Sequence, residues 1–275
     1  LTPGALERMI FLMKNRCYAP VLTALAAAAV LIWSPAPATG QQKAAKTAKA
    51  PKAAAPTGPA PRTASGKPDF AGVWQTPRMA DVTKDEACCK GVKDLPFTAW
   101  GKQQWESYDA TSKGDYAGAC LPFGLLRSVG GPHPVQIMQD EKYIAMLYEQ
   151  NTWFHVTPID GRPHGKDIEP TWFGDSVGHW EGDTLVIDTI AFNGRTRIDT
   201  IGHPHSDQMH TIEKFRRTDK GHIDYVITID DPKTFTKPWD SVRRWTLHPE
   251  WEIMEYSCEE NNKSLWEGRI KVPAP

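Results

Sequence analysis

Residues 222–230 read HIDYVITID. Ile223, Tyr225, Ile227 and Ile229 alternate with His222, Asp224, Val226, Thr228 and Asp230. A period of two sends alternate side chains to opposite faces of a strand, so this segment predicts a sheet with one dry and one wetted face. The period recurs at 184–192, where Leu185, Ile187 and Thr189 oppose Val186, Asp188 and Ile190. At 209–217 it groups Met209, Thr211, Glu213, Phe215 and Arg217, and 143–149 is apolar on both faces. Further strands are expected at 135–139, 152–157, 241–248 and 251–258. The links between them are short and carry Asp, Gly and Pro, which favours antiparallel neighbours, because a parallel pair needs a crossover of roughly a dozen residues or more. The expected fold is therefore all-β: an antiparallel meander of about eight strands closing into a barrel, with a two-sheet sandwich as the competing architecture. One short N-terminal helix is expected over 97–108, placing Phe97, Trp100 and Trp105 over an opening or a sheet edge.

What precedes the strands has a different character. Arg8, Lys14 and Arg16 lead into the uncharged apolar run 21–33, and small residues follow at Ala36, Ala38 and Gly40. That is the layout of a signal peptide over 1–40, with Met9 or Met13 a more usual start than Leu1. The run has 13 residues, short of the roughly 20 that span a bilayer core, so stable membrane insertion after cleavage is not expected. Residues 41–66 hold Lys, Ala and Pro without an acid or an aromatic, and are expected to form a solvated linker. The rest, 67–275, is expected to be a single barrel domain. It carries 24 Lys and Arg against 32 Asp and Glu, a charge of −8, which argues against a nucleic-acid partner.

Export implies an oxidising compartment, periplasmic or outside the cell, where cysteines pair. Cys88, Cys89, Cys120 and Cys258 allow three pairings, of which the one joining adjacent Cys88 and Cys89 is the most strained. Cys120 with Cys258 is the favoured bond, and the Cys88-Cys89 pair stays open. Neither a CxxC pair nor a nearby histidine supports zinc there.

Two constellations could carry chemistry. GDSVG at 174–178 matches the G-x-S-x-G pattern of a nucleophile elbow, but the following HWEGDTLVIDT reads as turn and strand where the elbow needs a helix. A hairpin corner, with Asp175 and Ser176 bonding local backbone, is the plainer reading. The second is Asp199, His203, His205, Asp207 and His210, with three histidines in eight residues. In an extended segment His203 and His205 project to one side. They could hold a divalent metal such as zinc with His210, or His205 could act as a base oriented by Asp199, with Glu213 beside it. A polar surface loop is the plainer alternative. If Glu213 and Arg217 face inward, the barrel holds a buried ion pair.

Ten of the eleven tryptophans lie beyond Trp33. Most must serve packing, and Trp172, Trp180 and Trp239 are the ones expected nearest a pocket mouth. PDFAGVW at 68–74, CLPFG at 120–124, DGRPH at 160–164, GDSVGHWEGDTLVIDT at 174–189, HSDQMHTIEKFRR at 205–217, DDPKTFTKPW at 230–239 and YSCEEN at 256–261 resemble a family of exported bacterial proteins without assigned chemistry. The resemblance spans the folded domain and implies a single lipocalin-like β-barrel behind a signal peptide, with no catalytic residue to carry over. Lys214 and the added Cys88-Cys89 pair depart from the pattern. Two functions follow as expectations. One is a barrel binding a small-molecule ligand against tryptophans, with Arg217, Asp175 and Ser176 as polar contacts; the other is a hydrolase or lyase built on His205, Asp199 and Glu213, with or without metal.

Overall fold

The computed structural model describes residues 54–85, 90–109, 116–260 and 262–269. The expected signal peptide, residues 41–53 of the expected linker, and Cys88 and Cys89 lie outside them. Nine strands follow in chain order: β1 (Gly72–Gln75), β2 (Val135–Gln139), β3 (Tyr143–Tyr148), β4 (Phe154–Pro158), β5 (Asp175–Glu181), β6 (Thr184–Ile190), β7 (His210–Arg217), β8 (His222–Asp230) and β9 (Trp239–Leu247). Each paired neighbour is antiparallel, and β1 also pairs with β9, Trp74 facing Leu247, so the meander turns back on itself into a nearly closed barrel.

Parity explains why closure is incomplete. In a meander of nine alternating strands whose first and last are antiparallel, one neighbouring pair must run the same way. That pair is β4 and β5, joined by the sixteen residues 159–174 instead of a hairpin. The seam is bridged where the Gly161 N–H donates to the Gly178 carbonyl at 3.0 Å. A side chain at Gly178 would stand 3.0 Å from Ile159 Cγ2, so glycine lets the two strands approach.

The period of two translates directly into the interior. Ile223, Tyr225, Ile227 and Ile229 are all fully buried, as are Leu185, Thr189, Thr211 and Phe215. Each buried Ile or Phe contributes roughly 1.5–3 kcal/mol relative to exposure. The lumen is filled by rings: Phe215 lies 4.9 Å from Tyr225 and 5.6 Å from Trp245, and Tyr225 lies 5.3 Å from Trp245. Outside the strands, α1 (Ala99–Glu106) is capped by Thr98, whose hydroxyl accepts from the Gly101 N–H at 3.0 Å. Short helices α2 (Gly124–Ser128) and α3 (Lys263–Trp266) complete the elements.

Several expectations are corrected. GDSVG is no hairpin corner: it enters β5, and the turn falls at Gly182, between β5 and β6. Segment 251–258 is not a strand; it is tied down by the Cys120–Cys258 disulfide, the favoured pairing, and by the Met254 N–H donating to Glu149 Oε2 at 3.0 Å. Residues 54–66 are not a free linker. The Gly58 carbonyl accepts from the Lys220 N–H at 2.9 Å and Arg62 is paired with Asp183 at 2.6 Å. Prolines suit this strap, since they have no N–H to leave unpaired, and the Pro61 carbonyl accepts from the Asp69 N–H at 3.0 Å. Among the described residues no helix is long and apolar enough to cross a membrane.

Candidate functional site

The stretch 191–209 connects β6 to β7 and is longer than the β4–β5 crossover. It folds back on itself, with Arg197 bridged to Pro204 and the Ile198 N–H donating to the His203 carbonyl at 2.9 Å. Helix α1 is anchored to the 231–236 turn that precedes β9, where the Thr98 N–H donates to the Thr234 carbonyl at 2.9 Å and its hydroxyl to the Lys233 carbonyl at 2.7 Å. A Cβ at Gly101 would stand 2.1 Å from the Thr234 carbonyl oxygen, so a glycine is needed for this approach.

These pieces form a polar groove of about 670 Å³. Trp100 and Tyr116 supply its aromatic surface, and Arg195, Arg197 and Lys233 its positive charge. Asp207 is the one carboxylate among the described residues that line it, and it is bonded to Lys233 at 3.0 Å. Arg195 is exposed and makes no ion pair among the described residues, whereas Arg197 lies over the Tyr108 ring at 4.3 Å. The described lining is thus net positive on a domain of charge −8.

Thr196 and His205 are buried residues of the groove wall, with His205 Nε2 2.6 Å from Thr196 Oγ1. His205 Nδ1 lies 3.0 Å from the Ser206 carbonyl. A carbonyl only accepts, so Nδ1 carries the proton and Nε2 accepts from the threonine. Burial pushes the His205 pKa down, against the opposing pull of the Ser206 carbonyl and of Asp231. Ser206 is held in turn by fully buried Asp231, which accepts its N–H and its hydroxyl at 2.6 Å each, and also the Thr234 hydroxyl at 2.7 Å.

Asp199 does orient an imidazole, but it is that of His203. Its carboxylate accepts His203 Nδ1–H at 2.6 Å and the backbone N–H groups of Val82, Gly202 and His203 at 2.8, 3.0 and 3.0 Å. The His203 ring stacks on Trp105 at 4.0 Å and lines a second depression of about 650 Å³ with Asp81. Trp100 and Gln104 of α1 face the first groove while Lys102 and Trp105 face the second, so the helix divides them.

The three-histidine metal set does not assemble. His203 binds Asp199, His205 binds Thr196, and His210, on β7, binds Asp188 Oδ1 at 2.9 Å. The loop turns at 200–201 and again at 207–208, and the three imidazoles meet three different partners. Among the described residues, the one group of three side chains with ligand atoms within 4.8 Å of each other is Asp81, Asp199 and His203. Its oxygens are already engaged: Asp199 as above, and Asp81 by the Thr83 N–H, the Thr83 hydroxyl and Lys84. Zinc would have to displace these bonds, so the residues present do not fit it.

The other expected contacts disperse. Asp175 lies on β5, bonded at 2.6 Å to His164, whose other nitrogen reaches Asp188 at 3.0 Å; burial lowers the His164 pKa, but the two carboxylates outweigh it and raise it. Ser176 is buried against Thr189, hydroxyl to hydroxyl at 2.7 Å, and among the described residues no histidine is bonded to it. Glu213 and Arg217 both face inward without forming an ion pair with each other. Glu213 accepts from the Tyr225 hydroxyl at 2.8 Å, and burial pushes its pKa up to about 7 against the pull of Tyr225 and Arg243. Arg217 lies over Trp74 at 5.0 Å and donates to the carbonyls of Asp69, Asp219 and Lys220. Trp172 packs edge-on against Tyr116, Trp180 stacks on Phe70, and Trp239 packs on Phe235, so these three indoles share no pocket. Thr196, Arg195, Arg197, Lys233, Trp100 and His164 were not among the expected site residues. The one cue for the arginines was a pair of positive charges flanking Thr196 in an otherwise acidic domain.

Comparison with protein-family models, with characterised proteins and with solved structures found no match to this chain.

Proposed function

We propose that this chain is an exported, lipocalin-like binding barrel whose ligand is a small organic anion with a planar apolar body, seated in the groove between α1 and the 191–209 loop. The observation that carries the reading is the sign of that groove. Arg195, Arg197 and Lys233 gather there on a strongly acidic domain, which raises the local concentration of anions where the rest of the surface repels them. Trp100 and Tyr116 offer faces for an aromatic or conjugated body. Export is supported by the charged and apolar layout of residues 1–40, by the Cys120–Cys258 bond, and by the strings that resemble an exported bacterial family. Ring contacts among Phe215, Tyr225 and Trp245 fill the lumen, which supports a ligand seat outside it, in the groove.

Solvent-facing charge contacts contribute roughly 0.2–1 kcal/mol each, so a monoanion should bind with a Kd nearer a millimolar than a nanomolar. Titration of 2-naphthoate and of neutral 2-naphthamide, followed by tryptophan fluorescence, tests the proposal. Naphthoate is expected to bind more tightly, to weaken as salt rises, and to lose several-fold in affinity in Arg195→Ala. Equal affinities for the two compounds, or an unchanged affinity in Arg195→Ala, would overturn it.

A further inference from the structure

We propose that Thr196 and His205 form a nucleophile and base pair that cleaves esters of organic anions seated in this groove; the substrate class rests on the groove being the anion site. A buried threonine bonded to a buried histidine can merely satisfy two polar groups. Here, however, both line the groove in which the ligand is placed, and the bonds run in the order a nucleophile needs. Buried Asp231 fixes Ser206, the Ser206 carbonyl fixes the tautomer of His205, and the Nε2 lone pair receives the Thr196 hydroxyl at 2.6 Å. The depressed pKa of His205 leaves the imidazole neutral near pH 7, the form that can take a proton. The backbone carbonyl does the positioning that a carboxylate does in a triad, and Arg195 and Arg197 place positive charge on the same wall.

The chemistry closes with water as the only co-reactant. Thr196 Oγ1 bonds to the ester carbonyl carbon as its proton passes to His205 Nε2. The tetrahedral adduct then expels the alcohol oxygen, which takes that proton and breaks its bond to carbon. Water next gives a proton to Nε2 and attacks the acyl-threonine. The bond to Oγ1 breaks, Oγ1 recovers the proton from Nε2, and a carboxylic acid leaves and ionises.

The full chain would be incubated with 4-acetoxybenzoate and with neutral 4-acetoxybenzamide, following release of the phenol and mapping any acetyl group by peptide mass spectrometry. The expected result is acetyl on the peptide carrying Thr196, faster with the anionic ester, retained in Thr196→Ser and lost in Thr196→Val. Release should fall roughly a hundredfold in the valine variant. Absence of acetylation in the unmodified chain, or acetyl mapped to another residue, would overturn the assignment whether or not the valine variant folds. An ester that binds as naphthoate does and is never cleaved defeats the nucleophile but leaves the anion site standing. Cleavage at Thr196 that is equally fast for the neutral ester defeats the anionic substrate class alone.

Discussion

Glu213 offers a test of the barrel interior that needs no ligand. Its carboxyl sits on the inward face of β7, 1% exposed, with its pKa raised from 4.5 to about 7 chiefly by burial. A raised carboxyl pKa means that the unfolded chain loses this proton at lower pH than the folded one. Between about pH 4.5 and 7 the folded state therefore binds the extra proton, and stability falls as pH rises; above about 7 the loss is complete. At 1.36 kcal/mol per unit, the cost is under about 1 kcal/mol at pH 5 and grows to roughly 3 kcal/mol by pH 8. Glu213→Gln keeps the shape and an acceptor for the Tyr225 hydroxyl but does not titrate. Urea denaturation of both proteins across this range should show the variant gaining roughly 2–3 kcal/mol on the parent between pH 5 and pH 8, whatever its offset at pH 5. A difference that stays flat with pH would refute the reasoning, because the carboxyl would then be ionised in the fold or reached by water.

Other consequences are as direct. Asp199→Ala strips the acceptor from three buried backbone N–H groups and from His203, and should cost roughly 3 kcal/mol or more in a thermal or urea melt, with Asp199→Asn recovering part of it. Gly101→Ala drives a methyl into the Thr234 carbonyl and should lower stability by roughly 1–3 kcal/mol while also weakening naphthoate binding, because α1 carries Trp100. The Cys120–Cys258 bond spans 138 residues, so Cys258→Ser should lower stability by at most about 5 kcal/mol on the loop-entropy estimate. A reductant should produce the same loss in the parent and none in the variant.

The strands legible in the sequence were those whose inward set is apolar. At 222–230 the inward isoleucines and Tyr225 leave no ambiguity, and 135–139 needed no adjustment at either end. β5 escaped because its inward residues are Ser176, Gly178 and Trp180, a set with no hydrophobic period. β1 has four residues and starts at a glycine, too short to show a pattern. The ninth strand matters beyond the count, since an odd meander forces the β4–β5 seam and the 159–174 crossover that carries His164. At the site, the importance of 199–210 was visible but its pairing was not. Alternation tells which side a residue takes but not what stands there, and the turns at 200–201 and 207–208 are part of a path that sets Asp199 and Trp105 against His203 and Thr196 against His205. Thr196, Lys233 and Trp100 come from separate segments, and contacts of that kind leave no trace in local spacing.

The central claim is that an organic anion settles between α1 and the 191–209 loop. Backbone amide shifts of isotopically labelled protein during titration with 2-naphthoate test it most directly. The account predicts shifts concentrated at Gly194, Arg195, Thr196, Ser206 and Trp100. Shifts confined to the apolar outer face of β2 to β4, around Met138, Phe154 and Val156, would contradict it.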